Sequence, residues 1–138
     1  NPHFVFNSLS AINRFVLKND GERASEYLTK FSRLVRQVLD NTRTEWVSLG
    51  EELKALRTYV ELEQLRCATP FELRIRVAPG LDPDLIRVPP LLVQPYVENA
   101  IWHGLLPKKD SPALLTLAAR REAGRVVFDV EDNGIGRT

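Results

Sequence analysis

Apolar residues change their spacing once along this chain, and that change divides what it can fold into. Up to about residue 68 they recur every three or four positions, the repeat of a helix that buries one face. From Phe71 onward they alternate with charged residues, the repeat of a strand with one face covered. In the first part, Val5, Leu9, Ile12 and Val16 share one helical face, and the pattern stops at the turn cluster Lys18-Asn19-Asp20-Gly21. A second helix carries Ala24, Tyr27, Leu28, Phe31, Leu34, Val35, Val38 and Leu39 on a stripe broad enough to meet more than one neighbour. After the polar stretch Asn41 to Glu45, Ser48 and Glu51 have the spacing of a capping box. The helix they open places Leu49, Leu53, Leu56 and Val60 on one face, widened by Tyr59, Leu62 and Leu65, and is expected to end near Ala68. Asn19 to Gly21 and Asn41 to Glu45 are each able to reverse the chain. An all-helical unit this small with faces this wide is expected to need a partner chain to complete a bundle.

In the second part, Phe71, Leu73, Ile75 and Val77 alternate with Glu72, Arg74 and Arg76, and Pro79-Gly80 closes that strand. A helix is predicted from about Leu91 to Trp102, with Gly104 as its C-terminal cap. Ala113 to Arg121 and Arg125 to Glu131 read as two strands of a hairpin turned by Glu122-Ala123-Gly124. The fold class expected is α+β: a helical unit over 1–68, then over 69–138 a layer of strand, helix, strand, strand in an α/β sandwich, not a series of parallel βαβ units.

Composition narrows the function classes. An apolar share of 43% and a charged share of 27% describe a globular chain able to bury a core. Lys and Arg number 19 against 18 Asp and Glu, a balance with no basic footprint for nucleic acid. Cys67 is alone, so no disulfide forms within the chain, and a reducing compartment is the simplest setting. No stretch reaches the roughly 18 uninterrupted apolar residues of a membrane span. The longest apolar neighbourhood, Val88 to Leu106, is broken by Pro89, Pro90, Pro95, Glu98, Asn99 and His103. The chain starts at Asn1 and contains no methionine, so it is expected to be a piece of a longer protein.

Three short blocks carry residues suited to chemistry. In Asn1-Pro2-His3-Phe4-Val5-Phe6-Asn7-Ser8-Leu9, taking about 100° per residue, His3 falls away from the Val5 stripe, on the side of Asn7, Ser10 and Arg14. A neutral imidazole there keeps a lone pair for nucleophilic attack near pH 7; spacing alone fits an ordinary surface histidine equally well. In Val88-Pro89-Pro90-Leu91-Leu92-Val93-Gln94-Pro95-Tyr96-Val97-Glu98-Asn99-Ala100-Ile101-Trp102-His103-Gly104, Glu98 lies one turn from Gln94, and His103 lies one turn from Asn99. An amide beside a carboxylate suits a hydrated Mg²⁺, although a merely solvated helix face has the same pattern. In Asp129-Val130-Glu131-Asp132-Asn133-Gly134-Ile135-Gly136, the alternation turns Val126, Phe128 and Val130 inward and brings Asp132 to a strand end. Its carboxylate could there accept a hydrogen bond from an exocyclic amine such as that of adenine. Gly134 and Gly136 let a backbone approach a ligand closely; by themselves Asp-Asn-Gly residues are a common turn.

Taken together and in this order, the blocks resemble the LytS-type sensor histidine kinases, whose nucleotide-binding half has the GHKL ATPase fold. The matching stretches are NPHFVFNSL at 1–9, LGEELKALRTYVELEQLR at 49–66, PPLLVQPYVENAIWHG at 89–104 and EDNGIG at 131–136. Gyrase-type ATPases of the same fold share only the last two. The resemblance implies a helical dimerisation and phosphotransfer unit over 1–68 with His3 as phosphoacceptor, followed over 69–138 by the first part of an ATP-binding domain. It implies ATP and Mg²⁺ as cofactors: Asn99 holds the metal, Glu98 acts on His3 as base or orienter, and Asp132 reads adenine. His103 contacts phosphate or serves as a structural hydrogen bond at the helix end, and Gly134 and Gly136 line the nucleotide.

The partners implied are a second copy of the chain and a response-regulator receiver domain whose aspartate takes the phosphate. No nucleic acid and no direct membrane contact are expected, and the setting implied is the cytoplasmic part of a bacterial protein anchored in the inner membrane. The pattern departs from the family twice. Cys67 stands where an aromatic residue commonly follows Arg66, and the chain stops at Arg137-Thr138, ahead of the family's lid and second glycine box. These residues alone are therefore expected to be weak or inactive. Two other functions remain open at this level: a GHKL-type ATPase that never phosphorylates histidine, and a non-enzymatic dimerisation scaffold.

Overall fold

A computed structural model describes residues 2–66, 71–101 and 113–132. The helical unit is α1 (Pro2–Leu17), α2 (Gly21–Asn41) and α3 (Leu49–Arg66), with a short strand β1 (Val47–Ser48) before α3. Then follow β2 (Phe71–Val77), β3 (Arg87–Val88), α4 (Gln94–Asn99), β4 (Ala113–Glu122) and β5 (Arg125–Asp132). The predicted class, helices together with sheet, is what the chain adopts.

Local chemistry sets most of the boundaries. Asn19 takes a left-handed φ of 58° between α1 and α2, and the Asp20 carboxylate accepts the Arg23 amide at 3.2 Å, capping α2. Ser48 Oγ accepts the Glu51 amide at 3.1 Å, so the cap read from the sequence opens α3. Between β4 and β5, Ala123 and Gly124 have φ of 53° and 78°, the two left-handed residues of a tight hairpin turn.

The inward face of α1 differs from the expected one. Of the expected set Ile12 packs against the core, but Val5, Leu9 and Val16 remain 42%, 53% and 56% exposed, while Ser8, Ala11 and Phe15 are buried. The small Ser8 and Ala11 let α1 approach α2 closely: the Tyr27 hydroxyl donates to Ser8 Oγ at 3.3 Å, and the Phe15 and Tyr27 rings lie 6.1 Å apart. The broad stripe of α2 is covered on one side only, with Ala24, Tyr27 and Leu34 buried and Leu28, Val35 and Leu39 exposed. Its other neighbour is α3, reached by a Lys30 Nζ–Glu61 Oε2 ion pair at 2.7 Å. Both reversals of the chain thus bring successive helices side by side.

β2, β4 and β5 form one mixed sheet in that order, β2 parallel to β4 and β4 antiparallel to β5. The parallel pair encloses α4, so one crossover of βαβ type sits inside the layer. Leu73 and Ile75 face the core from β2, as the alternation predicted, and Phe128 and Val130 do so from β5. Separately, β1 pairs with β3, Val47 opposite Val88. Those two-residue strands are too short to leave a period in the sequence.

The predicted fourth helix begins three residues late. Leu91 has φ of 61°, outside the helical region, and α4 starts only at Gln94. The residues expected at its far end, Trp102 and Gly104, lie outside the described ones, as does Cys67. A single core joins Leu49, Leu56 and Leu62 of α3 to Val97 and Ile101 near α4 and to Leu115 and Leu117 of β4. Among the described residues, no helix is long and apolar enough to cross a membrane.

Candidate functional site

α4 is a short helix opened by Pro95, whose missing amide hydrogen costs nothing in the first turn. It seats Val97 in the core, which turns Glu98 and Asn99 outward: Glu98 is half-buried and Asn99 exposed. Gln94 Nε2 donates to Glu98 Oε1 at 3.4 Å, the one-turn contact expected from their spacing. Beyond Asn99 the backbone widens at Ala100 and Ile101 into a π-type turn.

His3 lies in the first turn of α1; its side chain is outside the described residues, as are His103, Gly134 and Gly136 entirely. Its helical neighbours Ser10 and Arg14 are exposed and Asn7 is half-buried. Val5, two positions after His3, lines a cleft of about 250 Å³ together with Leu34 and Val38 of α2 and Gln94, Pro95 and Glu98 of α4. The fold therefore brings the helix that carries His3 and the helix that carries Glu98 and Asn99 to one cavity. Asp132 is exposed at the end of β5, opposite Leu115, and is not among the described residues lining that cleft.

The oxygen donors on α4 are amides and a carboxylate. Such hard donors fit Mg²⁺, which keeps most of its waters and takes few protein ligands. Among the described residues, no group of three or more His, Cys, Asp or Glu could hold a metal by itself.

Sequence reasoning missed a polar layer on α3. Glu63 accepts from Arg66 twice, at 3.1 Å from Nε and 2.8 Å from Nη2, and from the Tyr59 hydroxyl at 3.3 Å. Glu52, also buried, accepts the amides of Leu91 and Leu92 at 3.1 Å and 2.9 Å. Charged residues at apolar-stripe positions of an otherwise buried helix were the available signal.

Burial raises the Tyr59 pKa well above its ordinary value, and the negative charges of Glu63 and Glu98 raise it further. Tyr27 is also raised, chiefly by burial. The folded state therefore favours the neutral phenol at both positions. That preference is fully present below pH of about 10, the ordinary tyrosine value, and is lost as pH rises beyond it. Stability should accordingly show no tyrosine-linked change on the neutral side and fall above pH of about 10, phenolate absorbance rising together with unfolding. Tyr59→Phe should shrink that alkaline fall. With the exposed Tyr96 replaced by phenylalanine, a phenolate signal that appears before any loss of structure would contradict it.

The model of a family described as "Histidine kinase" matches residues 1–71. Sensor histidine kinase BtsS of Escherichia coli (strain K12) is 32% identical over 133 residues, which is 96% of this chain and 23% of that protein. Sensor protein LytS of Staphylococcus saprophyticus is 34% identical over 136 residues, 99% of this chain and 22% of that protein. Sensor histidine kinase/phosphatase LytS of Staphylococcus aureus (strain N315) is 36% identical over 135 residues, 98% of this chain and 23% of that protein. The chain thus spans under a quarter of the length of these relatives.

Proposed function

The chain belongs to the histidine kinase family, and on that premise we propose that it is the core of an ATP-dependent kinase that phosphorylates its own His3. The phosphoryl group then passes to an aspartate on a response-regulator receiver domain. The observation that supports this reading is the cleft lined by Val5 of α1 and Glu98 of α4, one cavity bordered by both motif-bearing helices. In this proposal, residues 1–68 act as the dimerisation and phosphotransfer unit and 69–138 belong to the ATP-binding domain.

Phosphoryl transfer asks a protein mainly for placement and charge neutralisation. A neutral His3 ring nitrogen attacks the γ-phosphorus of ATP as ADP leaves, and the other ring nitrogen gives its proton to the Glu98 carboxylate. Asn99 would hold Mg²⁺, which when bound neutralises charge on the phosphates. Asp132 would accept from the adenine amine, and His103, Gly134 and Gly136 are assigned to the nucleotide by the motifs they belong to. The site is proposed to work in the bacterial cytoplasm, with an inner-membrane anchor elsewhere in the protein. Given radiolabelled ATP and Mg²⁺, the full-length protein should become labelled on an acid-labile, base-stable bond. Steady ATP hydrolysis with no such label would replace this reading with that of a simple ATPase.

A second copy of the chain is proposed to cover the exposed stripes of the helical unit. Leu9 on α1 and Leu28 on α2, 53% and 51% exposed and outside the cleft, leave two adjacent helices with open apolar faces, the requirement for pairing two hairpins into a four-helix bundle. Placing charge on both faces with Leu9→Glu and Leu28→Glu should weaken self-association at least about 100-fold, read as a shift from dimer to monomer in sedimentation. An unchanged dimer mass would rule out this surface.

A further inference from the structure

Glu52 does something its own helix does not require. Its side chain is 3% exposed, and both oxygens are used across a separation of about 40 residues: Oε1 accepts the Leu91 amide at 3.1 Å and Oε2 the Leu92 amide at 2.9 Å. Two successive amides converging on one anion form a backbone nest, a geometry that needs a left-handed residue, and Leu91 with φ of 61° supplies it. A leucine rarely adopts that conformation, because its Cβ crowds the backbone there, so something outside the segment must hold it in place. Nearby contacts come from the same end of α3: the Leu49 amide donates to Ile86 O at 2.7 Å and the Gly50 amide to Pro83 O at 3.0 Å. Next in the chain comes α4, whose N-cap Val93 makes no side-chain capping bond. The place where α4 begins is thus set from α3, through Glu52.

We infer that Glu52 is a positioning residue for the phosphoryl-transfer site, fixing α4 and therefore Glu98 and Asn99 against the helical unit that carries His3. This rests on the kinase reading above. Leu91 itself lines the cleft between those helices, so loosening the clamp shifts a wall of the site as well as the helix behind it. Glutamine at 52 keeps the length but offers one acceptor and turns an amide donor toward a donor. In the proposed site Asn99 would hold Mg²⁺, which would supply charge neutralisation to the ATP phosphates, whereas Asp132 on β5 would contact adenine directly. Displacing α4 should therefore damage metal-dependent binding selectively.

The test compares ATP binding by the full-length protein and its Glu52→Gln variant, with Mg²⁺ and with EDTA. Glu52→Gln should weaken binding of ATP with Mg²⁺ at least about tenfold, with less than about twofold change in EDTA. Leu91→Gly added to Glu52→Gln, which removes the conformational strain, should recover part of the loss. Equal weakening with and without Mg²⁺, or none, would overturn the positioning role. Should Glu52→Gln fail to fold, Glu52→Asp, which keeps the charge without the reach, takes its place; if neither folds, Glu52 serves the core and the inference is wrong. Failure of the kinase reading looks different, because the unmodified protein would then carry no acid-labile label.

Discussion

Full-length protein carrying His3→Gln should take up no acid-labile phosphate from ATP, a fall of at least about 10³-fold or roughly 4 kcal/mol of lost transition-state stabilisation. Glutamine is close to histidine in reach, yet its amide nitrogen is no nucleophile, since the lone pair is delocalised into the carbonyl. Nothing else in the proposed transfer changes. ATP contacts are assigned to α4 and to the end of β5, on elements other than α1, so nucleotide affinity should stay within about twofold. The pairing of lost label with retained ATP binding separates loss of the acceptor from loss of the site. Label that persists in His3→Gln would move the phosphoacceptor elsewhere. Undiminished ATP turnover without label would point to a hydrolytic ATPase.

Arg66→Ala should be strongly destabilising, costing about 3–5 kcal/mol. The Arg66 and Glu63 side chains are 13% and 3% exposed, and their contact is bidentate, at 3.1 Å and 2.8 Å. Truncating the arginine strands a buried carboxylate with the Tyr59 hydroxyl, at 3.3 Å, as the remaining contact described for it. The cost is mostly desolvation without compensation. Replacing both partners with methionine should therefore be milder than Arg66→Ala alone, because it removes the charge that needs a partner. Urea denaturation midpoints measure both. A shift of less than about 0.5 kcal/mol for Arg66→Ala would show that water reaches Glu63 and that the pair adds little. Arg120, paired with Glu122 and Asp129 on the exposed face of the β4–β5 hairpin, offers the contrast: alanine there should barely move the midpoint.

How much was readable in the sequence depended on the range of the interaction concerned. Ser48 with Glu51, the turn at Asn19 to Gly21 and the pair Ala123-Gly124 act within a few residues, and the chain breaks or starts where they stand. The start of α4 was misplaced because the residue that delays it, Glu52, lies about 40 positions away and leaves no trace near Leu91. The face of α1 was misjudged for a related reason. Val5, Leu9, Ile12 and Val16 are the more apolar set, but Tyr27 of α2 packs where Ser8 and Ala11 leave room for its ring. The candidate site was readable only as motifs in a fixed order, since each of its residues alone suits an ordinary surface or turn.

By itself, then, the sequence determined the repeat of each segment, most turns and caps, and the family to which the chain belongs, because these follow from neighbours close along the backbone or from whole blocks of residues. That β2 runs parallel to β4, that α1 leaves Val5, Leu9 and Val16 outward, and that α4 hangs from a carboxylate on α3 depends on contacts between segments far apart in the chain. Those are choices among locally equivalent arrangements, and they are settled by which partner surface can be filled without a void or a stranded buried charge.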